Sequence, residues 1–425
     1  MRGEAKVPVL EVEIGEFLGD DDLMVLGKIW EHGKAWIVGG WVRDFLSGRD
    51  VSGCLDIATT LKPDEVKEIF PRTLLVGEEY GTVIVRLEEE SNEGIWEVTT
   101  LRSDGGYGDG RRPDNVSFGD DILVDLSRRD FTINAMAISQ NGEIIDIEGR
   151  GMEDLGAGVI RTVGNAADRI SEDGLRIMRA FRFLDDSEGG IRTLDQALSD
   201  AIRSNVQMLE RVSKERIWSE LCMILSGGNV KQILELMGEH GILDSILPDI
   251  DHDCGLEFSN NPRVNLALLC SPEENSGKEL SLTLRELLKI SNDDSLSISF
   301  LHDTKNVDFD LSPGSVRRFR TFLPEYLQRE FLFYSEGLGK NAVEMGDAIN
   351  SLPENSAGNS PLIDGNILSE VTGLEPGRRL GKLKGWLHRR QIEEDLPSSE
   401  QVLELLEEID WKEEDPEKWK NLSWP

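Results

Sequence analysis

The hydrophobic periodicity of this chain changes once along its length, and that change leaves few folds open to it. Residues 35–150 carry short β-branched runs (AWIVGG, TVIVRL, IWEVTTL and EIIDI) between turn-rich segments, with one amphipathic stretch, KPDEVKEIF. Runs of that kind read as the strands of a small α/β sheet domain. From about residue 165 the spacing becomes helical: ISEDGLRIMRAFRFL sets Ile177, Ala180, Phe181 and Leu184 on one face. ALSDAIRSNVQMLERVSKERIWSELCMIL and VKQILELMGEHGILDSILPDI continue as helices, and the last 35 residues are acidic with a helical pattern. The expected fold class is therefore an α/β head followed by all-α segments. Domains are expected at 1–150, 151–250, 251–355 and 356–425, with the polar, Gly- and Ser-containing segments 185–190, 271–278 and 352–360 as candidate boundaries.

Charge excludes one broad class of function. At a formal −35 the chain cannot coat nucleic acid by bulk attraction, because phosphate neutralisation needs clustered Lys and Arg. Any RNA contact must use local basic patches, of which Arg111-Arg112, Arg128-Arg129 and the run Arg169, Arg176, Arg179, Arg182 are the candidates. Cys54, Cys222, Cys254 and Cys270 stand far apart with no C-x-x-C pair, so reduced thiols are expected. The chain has no apolar stretch long enough to span a bilayer and its first residues lack a signal-peptide pattern, so a cytoplasmic location without membrane partners is expected.

Five motifs carry chemistry. Val38-Gly39-Gly40-Trp41-Val42-Arg43 follows an apolar run; a Gly-Gly at a strand-to-helix turn lets backbone N–H groups approach a triphosphate, and Arg43 follows one helical turn later. Cys54-Leu55-Asp56-Ile57-Ala58-Thr59 is a strand that points residues 54 and 56 to the same side. Trp96-Glu97-Val98-Thr99 is a second strand with a lone carboxylate. Arg128-Arg129-Asp130-Phe131-Thr132-Ile133-Asn134-Ala135 and Glu172-Asp173-Gly174-Leu175-Arg176-Ile177-Met178-Arg179-Ala180-Phe181-Arg182 complete the set. His240, His252 and Asp253 hint at a His-Asp metal site, but the two further ligands it needs are not evident.

Together these motifs resemble the polymerase-β-type nucleotidyltransferases that extend RNA 3′ ends, most closely the bacterial-type (class II) tRNA CCA-adding and poly(A)-adding enzymes. The likeness is strong over residues 35–250 and looser over 360–410, where LIDGNILSEVTGLEPGRRLGKLKGWL resembles a tail segment that holds tRNA. It implies a polymerase-β-like α/β head and an all-α neck, body and tail in a seahorse-like arrangement, with residues 255–355 left without assignment. Asp56 and Glu97 are implied as ligands of Mg²⁺, with Mn²⁺ as the alternative ion, and Cys54 stands where the family's first metal carboxylate is expected. A thiol is a poor ligand for so hard an ion. Asp130 is implied as a catalytic-site residue, braced with Asn134. Gly39, Gly40, Arg43 and Arg129 are implied to hold the nucleotide's phosphates or sugar, and Arg179 and Arg182 to reach phosphates or primer.

Asp173 and Arg176 have a chemical logic of their own. Cytosine and adenine both offer an exocyclic amine beside a ring-nitrogen acceptor, so a carboxylate next to a guanidinium complements either base. The plain alternative is an i, i+3 ion pair on one helix. The implied function is transfer of CMP and AMP from CTP and ATP to a tRNA or other RNA 3′ end. A poly(A) polymerase shares every motif, and a catalytically weakened RNA-binding relative is the reading that Cys54 keeps open.

Overall fold

The computed structural model describes residues 12–49, 51, 55–76, 81–87, 94–104 and 116–425, which divide into two compact units at Pro248/Asp249. Cys54, Asp50, Arg111 and Arg112 lie outside the described residues.

In the first unit, strands β1 (Ala35–Val38), β2 (Leu55–Thr59), β3 (Thr73–Leu75), β4 (Thr82–Arg86), β5 (Ile95–Thr100), β8 (Met136–Ser139) and β9 (Ile144–Asp146) form one mixed sheet. Its order is β3-β4-β5-β2-β1-β8-β9. β6 (Arg102–Asp104) and β7 (Val116–Phe118) pair separately as a ribbon. All the alternating runs picked out in the sequence are among these strands, and KPDEVKEIF supplies the helix α3 (Pro63–Ile69).

Period-two alternation sorts the strand residues onto two faces. Ile37, Leu55, Ile57, Val83, Val85, Trp96 and Val98 pack into one core with Val25, Leu26 and Ile29 of α1 (Asp20–Trp30) and with Val66 of α3. Asp56 and Glu97 alternate with those residues, so the same core that buries their neighbours turns both carboxylates to the opposite face. β2 and β5 are parallel, and Asp56 is the register partner of Glu97. Between β1 and β8, α2 (Gly40–Leu46) follows β1 directly, and α4 (Ile122–Ser127) precedes β8.

Helices then take over: α5 (Arg150–Ala157), α6 (Ala166–Glu172), α7 (Leu175–Leu184), α8 (Gln196–Asn205), α9 (Lys214–Leu225), α10 (Val230–Glu239) and α11 (Ile242–Ile246). The face of Ile177, Ala180, Phe181 and Leu184 is buried as its spacing requires. One expectation fails here. The periodic segment is two helices, because Asp173 is extended (φ −149°, ψ 107°) and its carboxylate, just before α7, accepts the Leu175 N–H at 3.0 Å. Segment 185–190, a candidate boundary, lies inside this unit, where Asp185 accepts from the Gly228 N–H and the Asn229 amide.

The second unit is helical throughout: α12 (Pro262–Leu269), α13 (Gly277–Leu288), α14 (Asn292–Asp303), α15 (Pro313–Phe322), α16 (Glu325–Gly337), α17 (Ala342–Ser351), α18 (Gly365–Thr372), α19 (Arg378–Glu394) and α20 (Ser399–Glu404). Helices fill the stretch 255–355 that the sequence left without assignment. The C-terminal segment is less helical than its pattern suggests. Past α20 only short 3₁₀ turns follow, and Trp419 folds back into a core with Leu368, Leu383, Leu387 and Val402. Among the described residues no helix is long and apolar enough to cross a membrane.

Candidate active site

The open face of the sheet, the start of α2, the end of α4, and α7 and α9 enclose a cleft of about 710 Å³. It is lined by every expected site residue: Gly39, Gly40, Arg43, Asp56, Glu97, Arg129, Asp130, Asp173, Arg176, Arg179 and Arg182. Eight arginines face it against four carboxylates, so a chain of net charge −35 concentrates positive charge at this one place. Low-dielectric walls focus that field on an anion.

Gly39 makes the turn from β1 into α2 at φ +77°, and a Cβ built on it would lie 2.5 Å from Asp56 Oδ2. Only glycine combines that backbone conformation with so close an approach to the carboxylate. Burial raises the Asp56 carboxyl above its ordinary range, the neighbouring Glu97 charge adds to the rise, and Arg129 opposes it. Two like charges held side by side on one sheet face are an arrangement that a cation relieves. Thr82 and Thr99 stand beside them, their hydroxyls 3.0 Å apart.

The Arg128-Arg129 turn is held from two sides. Asp125, fully buried on α4, accepts Nε and Nη2 of Arg128 at 2.9 and 2.6 Å and Nη2 of Arg129 at 3.3 Å. Arg169 donates to the carbonyls of Arg128 and Arg129 and pairs with Glu172 at 2.5 Å. Glu172 in turn pairs with Arg176 at 2.6 Å. Asp125 and Glu172 thus support the cleft, although sequence reasoning gave them no role there, and Arg169, expected as part of a basic patch for RNA, braces the Arg128-Arg129 turn. The i, i+3 and i, i+4 spacing of Asp125 to its arginines was the available signal.

Asp130, expected among the catalytic groups, has its acceptor positions filled. Oδ2 accepts Nε and Nη2 of Arg179 at 2.7 and 2.5 Å, and Oδ1 accepts the Phe131 N–H at 2.8 Å and the Asn134 amide at 3.2 Å. Burial would raise its carboxyl, but the Arg179 charge and these hydrogen bonds hold it below its usual range. A carboxylate so committed braces the cleft. Asn134 Oδ1 also accepts from Arg43 at 3.0 Å, which links that brace to α2.

The i, i+3 ion pair that was the plain alternative for Asp173 and Arg176 does not form. Asp173 lies at the break before α7 and accepts from Arg216 of α9 at 3.0 Å, while Arg176 donates to Glu172 and to the Arg169 carbonyl. Both side chains nonetheless line the cleft together. Arg179 and Arg182, expected at phosphates or primer, contact Glu220 of α9 at 3.5 and 3.1 Å. Arg216 and Glu220 were missed, since nothing local in VSKERIWSEL ties them to a motif some 40 residues earlier. His240 is a packed core residue that contacts Ser199 and the Leu236 carbonyl and meets Phe181 edge-on. Among the described residues no group of three or more His, Cys, Asp or Glu is arranged to hold a metal.

Residues 35–161 match the family model described as the Poly A polymerase head domain, and residues 193–254 match the probable RNA and SrmB-binding site of polymerase A. The chain is similar to the CCA-adding enzyme of Lactococcus lactis subsp. lactis (strain IL1403), 35% identical over 394 residues that span 89% of this chain and 94% of the relative. It is 34% identical to the CCA-adding enzyme of Streptococcus sanguinis (strain SK36) over 417 residues, 94% of this chain and 99% of that one. Among solved structures, the Bacillus stearothermophilus CCA-adding enzyme in complex with CTP superposes with a TM-score of 0.72 at 26% identity, over 91% of this chain and 96% of that one.

Proposed function

The chain belongs to the family of CCA-adding enzymes, and from that premise we propose that it adds CMP and AMP, from CTP and ATP, to the 3′ end of tRNA in the cytoplasm without a nucleic-acid template. The observation that carries the reading is the single cleft that holds a carboxylate pair, a cluster of arginines and the Asp173/Arg176 pair together.

Enzymes of this family generally use divalent metal ions, and the donor set fits one. Asp56 and Glu97 are hard oxygen donors paired across β2 and β5, and the Glu97 charge opposes ionisation of Asp56. Mg²⁺ is commonly held by one or two carboxylates, with substrate phosphates and water completing its shell. We therefore assign Asp56 and Glu97 to Mg²⁺, with Mn²⁺ as the alternative ion. Bound there, the ion supplies activation of the 3′-hydroxyl and neutralises charge on the leaving pyrophosphate.

The remaining roles fall to the chain's own side chains. Gly39 and Gly40 let the backbone approach the triphosphate, and Arg43 and Arg129, fixed by Asp44, Asn134 and Asp125, pair with its oxygens. The 3′-hydroxyl oxygen forms a new bond to the α-phosphorus as the bond to pyrophosphate breaks. Asp173 spends acceptor capacity on Leu175 and Arg216 and offers the rest to the exocyclic amine of C or A, while Arg176 donates to the ring nitrogen. Uracil and guanine present a carbonyl at the amine position, which the carboxylate repels. The helical segments after the head are assigned to the neck, body and tail that hold the RNA. The match of residues 35–161 to a poly(A) polymerase head keeps A-tail synthesis as the second reading. Sequencing the 3′ ends of a CCA-less tRNA after incubation with all four nucleotides tests the proposal. Ordered C-C-A supports it, an A tail favours the second reading, and unextended ends refute both.

A further inference from the structure

Among the arginines of this cleft stands an aromatic side chain. α7 buries Ile177, Ala180, Phe181 and Leu184, but Phe183 points away from that face and lines the charged cleft. Three guanidinium groups gather on its ring. The centres of Arg182, Arg43 and Arg179 lie 4.3, 5.2 and 5.4 Å from the ring centroid. Arg43 reaches it from α2, in a distant part of the sequence. The edges of these guanidiniums are taken by carboxylates: Asp44 for Arg43, Asp130 for Arg179 and Glu220 for Arg182. Phe131, fully buried, meets the Phe183 ring edge-on at 5.8 Å and an interplanar angle of 76°, which fixes the ring's orientation.

Like charges crowded this closely repel. Asp44, Asp130 and Glu220 offset that repulsion from the edges, and an aromatic face stands at the centre. The face of a benzene ring is the negative part of its quadrupole and attracts cations within about 6 Å. We propose that Phe183 is a positioning residue of the nucleotide site, whose ring face holds Arg43, Arg179 and Arg182 together and ready for a triphosphate. The inference rests on the assignment of these arginines to the nucleotide. It goes beyond that assignment in naming the uncharged group that orients them beside their carboxylate partners.

The role depends on the ring's electrons and not on its bulk, which separates it from ordinary packing. Phe183 in the full-length chain is replaced by mono-, tri- and pentafluorophenylalanine, which withdraw the quadrupole stepwise at nearly constant shape, and by Tyr and Leu. Binding of CTP, ATP and inorganic tripolyphosphate is measured by calorimetry. The expected result is a graded loss reaching about tenfold with the pentafluoro ring, equal for all three probes, with Tyr retaining near-parent affinity. Leu, which keeps apolar bulk without a ring, should fall with the pentafluoro variant. Arg43→Ala runs beside the series. If Arg43→Ala weakens CTP while the fluorinated chains bind like the parent, the role of Phe183 is refuted and the site assignment stands. If Arg43→Ala also leaves CTP binding unchanged, the assignment itself has failed and the inference falls with it.

Discussion

Substituting Gly39 by Ala should damage catalysis far more than stability, and the structure gives both magnitudes. At φ +77° and ψ −145° an alanine carries strain of about 1–3 kcal/mol, which lowers the unfolding midpoint by roughly 2–4 °C per kcal/mol in a unit of this size. The new Cβ would also lie 2.5 Å from Asp56 Oδ2, so the carboxylate must move by about 1 Å to restore normal contact. A displacement of that size at a reacting centre costs about 100-fold in rate. Gly48→Ala is the control: it has φ +71° and nothing within 4 Å of the added Cβ, so it bears backbone strain without touching the carboxylate. Single-turnover CMP incorporation into CCA-less tRNA, with thermal unfolding alongside, separates the two effects. Near-parent turnover by Gly39→Ala, or an equal rate loss in Gly48→Ala, would refute the reasoning.

Three further outcomes follow from the same geometry. Arg176→Ala should lower the preference for C and A over U and G by about 10- to 100-fold, the worth of one bidentate base contact, and loss of activity with an unchanged preference would make Arg176 structural. Asp56 has its carboxyl raised by burial and by Glu97, so the folded state holds that proton more tightly than the unfolded chain, and without metal its contribution to stability falls as pH rises through the shifted value. Asp56→Asn should therefore raise the unfolding midpoint in EDTA at pH 7, lose that gain in acid, and abolish incorporation while tRNA binding persists; a lower midpoint at pH 7 would contradict the pairing with Glu97. Cys54→Asp should raise the Mg²⁺-dependent rate by tens-fold if it recovers about 2 kcal/mol of barrier, and the parent should gain disproportionately from Mn²⁺; a parent already fast in Mg²⁺ and unimproved by the change would direct attention to Asp50.

The head was legible because its information is local. Period-two alternation in β2 and β5 decides which way Asp56 and Glu97 face, and neither residue needs a distant partner to be aimed. Asp173 was harder to read. Helical spacing ran straight through Asp173-Gly174, although Asp-Gly is itself a turn signal, and the extended Asp173, its carboxylate bonded to the Leu175 N–H, breaks the helix there. The partners that α9 supplies were out of reach altogether. Arg216 and Glu220 meet Asp173, Arg179 and Arg182 only because α9 packs on α7, and nothing in the spacing of either segment records that contact. The C-terminal segment misled for a related reason: an acidic helical pattern carries no information about Trp419 returning to its core.

The central claim is that one cleft selects C and A and builds C-C-A on tRNA, and the most direct measurement is stepwise extension of a tRNA lacking those three nucleotides. The purified full-length chain receives CTP alone, ATP alone, or both in Mg²⁺, and each product is resolved to the nucleotide. The account predicts that CTP alone adds C-C and that both together complete C-C-A and then halt, whereas ATP alone adds nothing processive. A lengthening A tail from ATP alone, or equal use of UTP and GTP, would contradict it.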